Sequence, residues 1–153
     1  MKHIILTLLI AVASTLAVCA QSRLAIDKAF ADYGHSRHCK MVEMHNTTLR
    51  GYKLATYKSL TYKVIGKEIE PLLAEDKKQA KKIREVVDQG VVKSGYYQMT
   101  PADNGDNRYI LFSKGAKNSG TIIYIKGKLG PDDIMSLCYV CLLYTSPSPR
   151  DPK

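Results

Sequence analysis

Asn107-Arg108-Tyr109-Ile110-Leu111-Phe112-Ser113 runs into Lys114-Gly115-Ala116-Lys117-Asn118-Ser119-Gly120 and then into Thr121-Ile122-Ile123-Tyr124-Ile125-Lys126-Gly127. Two short runs of β-branched and aromatic residues flank a polar loop punctuated by glycine, the sequence form of a β-hairpin. Side chains alternate across a strand, so Ile110 and Phe112 share one face of the first arm, and Tyr109 and Leu111 the other. In the second arm Ile123 and Ile125 oppose Ile122 and Tyr124. Both faces are apolar or aromatic. Each therefore needs a cover, or one remains a half-exposed Tyr/Leu surface, and the hairpin is expected at the centre of a small sheet.

Beyond the hairpin, Gly130-Pro131-Asp132-Asp133 opens a last helix with a cap, a first-turn proline and two acidic residues, and Ile134, Met135 and Leu137 form its apolar side. The helix runs into Cys141-Leu142-Leu143-Tyr144-Thr145-Ser146-Pro147-Ser148-Pro149-Arg150-Asp151. That string resembles the in-frame translation of a transposase-based sequencing-library adapter; the alternative is a natural Pro/Ser tail. The adapter reading ends the biological sequence near Val140, leaves 141–153 as a disordered artefact, and predicts a shortened helix with Ile and Leu surface exposed on the hairpin.

Upstream, Leu24, Ile26, Phe30 and Tyr33 approximate helical spacing, with Ser22 as a cap and Gly34 as a stop. Lys40 to Asn46 alternates as a strand, and Leu54 to Val64 reads as a second. Glu68 to Asp88 reads as one long helix, with Pro71 in its first turn and Gly90 as its stop. Ile69, Leu73, Ala80, Ile83 and Val87 form its stripe, and Asp76 is expected at the stripe edge because an unpaired buried Asp is rare. Val91 to Met99 is a third strand with Gly95 as a candidate bulge. The expected fold is α+β: a small antiparallel-rich sheet of four to five strands with two or three helices packed mainly on one face.

The first residues set the compartment. A basic Met1-Lys2-His3, an apolar Ile4 to Val18 and a Val18-Cys19-Ala20 end match a secretory signal peptide cut after Ala20. A lipoprotein is the lesser reading, since Val18 stands where the lipid-attachment pattern wants Gly, Ala or Ser. Residues 21–140 then form a single domain of exported, periplasmic or cell-surface location. The full chain carries a net charge of +9; setting aside Lys2, Arg150, Lys153 and Asp151 leaves +7. Such a balance favours anionic partners without selecting among them, and export makes nucleic acid the least suitable. Of the four cysteines, Cys39 and Cys138 remain after trimming, and an oxidising compartment permits a disulfide between them. The alternative is two buried thiols.

Candidate chemistry is sparse. His35, His38, Cys39 and His45 include metal-ligand types, although their spacing matches no zinc signature, so a polar loop is the plainer reading. Asp103-Asn104-Gly105-Asp106-Asn107 has oxygen ligands but lacks the spacing of a calcium loop and reads as a turn. Lys77, Lys78, Lys81 and Lys82 form a cationic helix face, open to an anionic partner or simply solvated. Tyr52, Tyr57 and Tyr62, each followed by lysine, offer an aromatic surface suited to sugars or peptides, or else line the core edge. Nucleophile elbows and phosphate-cradling glycine loops are missing.

Tyr57-Lys58-Ser59-Leu60, Ile83-Arg84-Glu85-Val86, Ser94-Gly95-Tyr96-Tyr97, Arg108 to Phe112 and Ile123 to Gly127 together resemble an uncharacterised family of short exported proteins from gut Gram-negative anaerobes. The resemblance spans about Cys39 to Leu137 and implies export and fold, with no catalytic residues and no cofactor to carry over. The expected function is a non-catalytic exported module that binds a protein, glycan or anionic envelope partner, with peripheral contact to an anionic membrane surface as one form. The alternatives are a metal-dependent or cysteine-based enzyme using His35/His38/Cys39/His45, and a structural envelope component.

Overall fold

The computed structural model of the chain describes residues 23–145, with side-chain surroundings given through Cys138. The expected signal peptide lies outside the described residues, as do Ser22 and residues 146–153. In chain order the elements are α1 (Ile26–Tyr33), β1 (Cys39–Leu49), β2 (Tyr52–Tyr62), α2 (Gly66–Lys77), β3 (Lys81–Asp88), β4 (Val91–Met99), β5 (Asn107–Lys114), β6 (Gly120–Gly127) and α3 (Pro131–Thr145). The six strands form one sheet in the order β1-β2-β6-β5-β4-β3, and every neighbouring pair is antiparallel. The chain makes a hairpin at one edge, crosses by way of α2 to the opposite edge, and returns by a four-strand meander that ends against β2.

The β5–β6 hairpin occupies the two central positions, in a register that sets Ile110 opposite Tyr124 and Leu111 opposite Ile123. Its side chains divide between two cores as their alternation predicts. Ile110, Phe112, Ile122 and Tyr124 lie under α1 and α2 with Phe30, Leu60, Ile69 and Leu73. Tyr109, Leu111, Ile123 and Ile125 lie on the opposite face with Leu54, Tyr57 and Leu129 and with Ile134, Leu137 and Cys138 of α3. Burying an aliphatic side chain of this size contributes about 1.5–3 kcal/mol, so the hairpin supplies a large share of both cores. The fold is the expected α+β, with six strands rather than four or five, and with two helices on one face and the third on the other.

The expectation of exposed Ile and Leu surface on the hairpin is corrected, because α3 covers Leu111, Ile123 and Ile125 completely. Its start is built as the sequence indicates: the Asp133 carboxylate accepts the Gly130 N–H at 3.0 Å, the return half of a capping box. The Tyr109 hydroxyl and the Asn107 amide both donate to the Leu129 carbonyl, at 2.6 and 3.0 Å, and tie the approach to α3 onto β5. Cys141 to Thr145 continue the α3 backbone.

The long helix expected over Glu68 to Asp88 is two elements. α2 ends at Lys77, and Lys81 to Asp88 pair with β4 as an edge strand. Gly90 does not stop a helix: Gln89 and Gly90, at φ +49° and +77°, form the two-residue turn that joins β3 to β4 and matches the twist of its strands. Asp76 is also corrected. It is buried at 7 % exposure and accepts the N–H of Ala25 at 2.7 Å and of Ile26 at 2.9 Å, which caps α1 from the last turn of α2. Burial pushes its carboxyl above the ordinary range, an effect that the two N–H bonds offset only in part.

Candidate functional site

Lys77, Lys78, Lys81 and Lys82 lie round one corner, though not on one helix face. Lys77 and Lys78 lie at the C-terminal end of α2, where cations suit the helix dipole. A tight connection follows, with Gln79 N–H bonded to the Asp76 carbonyl and Ala80 N–H to the Lys77 carbonyl. Lys81 and Lys82 then begin β3. The break after Lys77 replaces a continuous helical stripe with a helix end and a strand start side by side.

Glu85 organises this corner. Its carboxylate is 3.2 Å from the Lys77 ammonium and 3.5 Å from that of Lys82, and it accepts a short hydrogen bond from the Tyr97 hydroxyl at 2.5 Å. The Tyr97 bond, with the two lysines, holds the Glu85 carboxyl below its ordinary range. Burial and the same carboxylate drive the Tyr97 phenol well above its own. Lys77 also lies over the rings of Tyr97 and Phe112, 5.0 and 5.8 Å from their centroids, and these two rings stack with an interplanar angle of 4°. Lys77 is thus built into the structure. Lys78, 2.8 Å from the exposed Glu75, and Lys81 and Lys82 present their charge outward. Arg84 is exposed two residues further along β3.

A groove of about 320 Å³ opens beside Lys77, between α2 and the β3–β4 turn, and Leu73, Val91, Phe112, Glu70 and Lys114 line it. Lys114 and Glu70 pair across it at 2.7 Å. A larger groove of about 540 Å³ lies at the far end of the sheet, lined by Asn46, Lys53, Leu54, Asp106 and Lys128 among others, and it contains none of the candidate lysines, histidines, cysteines or tyrosines. The Asp103–Asn107 segment is a turn closed on itself, with Asp106 N–H bonded to the Asn104 side-chain oxygen and Ala102 N–H to the Asp106 carbonyl.

The histidines and Cys39 do not converge. His35 and His38 are exposed in the loop before β1, Cys39 packs at the edge of the core beneath α1 and α2, and His45 lies six residues along β1. That separation is roughly 20 Å in an extended strand. His45 instead contacts exposed Glu43 at 2.7 Å, and burial pushes the Cys39 thiol up, away from a reactive thiolate. Among the described residues no group of three or more His, Cys, Asp or Glu is placed to hold a metal ion. Cys39 and Cys138 belong to opposite faces of the sheet and are not joined; the disulfide permitted by the sequence is corrected.

The tyrosine surface divides in the same way. An irregularity between Leu54 and Thr56 shifts the alternation of β2. Tyr52 and Tyr57 therefore pack with the core under α3, while Tyr62 is buried in the core under α1 and α2. There burial, followed by the nearby Glu70 charge, pushes its phenol up to about 12. The three rings do not form one exposed face. Tyr97, whose hydroxyl anchors Glu85, is the aromatic that belongs to the basic corner. The sequence carried a sign of this in the Gly95 two residues before it.

A family model described as a family of unknown function (DUF6108) matches residues 13–138, and the chain belongs to that family. No curated protein matches, and no solved structure does. No helix among the described residues is long and apolar enough to cross a membrane.

Proposed function

We propose that this DUF6108 domain is a non-catalytic binding module of the cell envelope that engages an anionic protein or glycan through the corner formed by Lys78, Lys81 and Lys82. The observation that carries this reading is the local charge. Lys77, Lys78, Lys81 and Lys82 follow one another round the end of α2 and the start of β3 against Glu75 and Glu85, and Glu85 is already shared by Lys77, Lys82 and Tyr97. A surplus of cations on a rigid helix end and strand start attracts an anionic partner and speeds its encounter. The exported, periplasmic or surface location of the signal-peptide reading is part of the proposal, and it makes protein and glycan the suitable partners.

The test is retention on immobilised polyglutamate and on heparin over a salt gradient. The wild-type protein elutes late, and a Lys78→Glu/Lys81→Glu/Lys82→Glu variant elutes early with its thermal melt unchanged. Equal retention of the two folded proteins overturns the reading. Lys77 is left intact because it supports the Tyr97 and Phe112 rings.

A further inference from the structure

The two edges of the sheet are guarded differently. Within β1, Asn46 takes a left-handed backbone, φ +48°, which interrupts a flat edge. Within β3, Ile83 is an extra residue between the Lys82 and Arg84 pairings. Insertions of this kind discourage one strand from pairing with a stranger. From Arg84 to Asp88 the protection lapses. The second irregularity of this pair, between Val86 and Val87, places the extra residue on β4 at Lys93, so β3 itself runs on without insertion. It also carries exposed valine on both faces: Val86 is 42 % exposed, Val87 56 %, and Val91 just beyond the turn 45 %.

We propose that the Arg84–Asp88 edge pairs antiparallel with the same edge of a second copy, with Val86 on the two-fold axis. The register follows from geometry and charge. Outward-facing backbone groups recur at every second residue, so a strand that pairs with its own copy places one residue on the axis opposite itself. Arg84 on the axis opposes Arg84, and Glu85 opposes Glu85; like charges directly opposite are destabilising. Val87 on the axis leaves Arg84 opposite Gly90, beyond the end of the strand. Val86 on the axis sets valine against valine and places Arg84 directly opposite the second copy's Asp88, twice by symmetry. Neither Arg84 nor Asp88 has an ion-pair partner among the described residues. The dimer leaves Lys78, Lys81 and Lys82 outside the paired run, and its two basic corners lie roughly 30 Å apart along the shared strands. It does not depend on the binding role proposed above.

Sedimentation equilibrium over about 1–100 μM tests the pairing. The wild-type protein is expected to form a dimer. Arg84→Asp and Asp88→Arg each place like charges opposite one another twice and weaken it about tenfold. The double variant Arg84→Asp/Asp88→Arg restores the complementarity and the dimer. Val86→Arg sets two cations on the axis and gives a monomer. All three positions of substitution are exposed, and thermal melts establish that each variant is folded. A wild-type monomer throughout the range, a double variant as weak as the single ones, or a Val86→Arg dimer as tight as wild type overturns the proposal.

Discussion

The Asp76 carboxylate accepts the N–H of Ile26, fifty residues earlier, at 2.9 Å. The first helix has no side-chain cap of its own, since Ala25 stands at its N-cap. Helix ends leave backbone N–H groups without intrahelical partners; here a carboxylate from α2 satisfies two of them and locks the helices together over the core. Asp76→Ala removes both bonds at once and is expected to cost about 1–2 kcal/mol. Urea unfolding of the two proteins measures it. An unchanged midpoint would show that the α1 terminus does not depend on this contact.

The Glu85 carboxyl, held low by the Tyr97 hydroxyl and then by Lys77 and Lys82, makes stability depend on acid. A carboxyl whose folded pKa lies below its unfolded value contributes stability that is complete above the ordinary value of 4.5 and is lost as pH falls through the folded one. Glu85→Gln does not titrate. Thermal melts between about pH 7 and pH 2 should therefore show the wild-type advantage at neutral pH narrowing below about pH 4.5. A constant difference across the range would count against the Tyr97–Glu85 bond.

How far the sequence could be read depends on whether each signal was local. The hairpin was legible because its arms are β-branched, alternating and bounded by glycine, and Val91 to Met99 was legible for the same reasons. Lys81 to Asp88 was not. Ile83 and Val87 continue the helical stripe of Ile69 and Leu73, and no glycine or proline separates Lys77 from Lys81; only pairing with β4 makes this stretch a strand. The four lysines are a group in the sequence, but they lie on two elements instead of one. The odd spacing of Tyr57 and Tyr62 already sets those rings on opposite faces of a strand. The burial of Asp76 depends on a helix fifty residues away, and the placing of Tyr52 on the same face as Tyr57 depends on an irregularity near Ala55. Neither of these two has a local sequence mark.

Gly95 was a candidate bulge, yet it pairs regularly with both Glu85 and Phe112. Its requirement is space. A Cβ at this position would overlap the Tyr97 ring, which folds back over the glycine and brings its hydroxyl to Glu85. Gly95→Ala must displace that ring, and overpacking of this kind costs about 1–3 kcal/mol. Gly95→Ala/Tyr97→Phe tests the cause: without the hydroxyl to anchor the ring, the alanine should cost less than it does beside Tyr97. Equal costs would place the strain in the backbone instead.

Leu137 of α3 is buried with Leu111, Ile123 and Ile125 of the central hairpin, whereas Ser136 beside it is exposed. The pair separates packing from helix propensity. Leu137→Ala leaves a strong helix former in place and removes only the contacts with the sheet, so its expected cost of about 2–5 kcal/mol is a measure of how firmly α3 closes the second face. Ser136→Ala should stay within about 0.5 kcal/mol of wild type. The same urea titrations also read the slope: if α3 is integral to the fold, Leu137→Ala lowers the midpoint without changing the slope, because the surface exposed on unfolding is unchanged. A midpoint equal to that of Ser136→Ala would mean that the hairpin's second face does not rely on α3 for its cover.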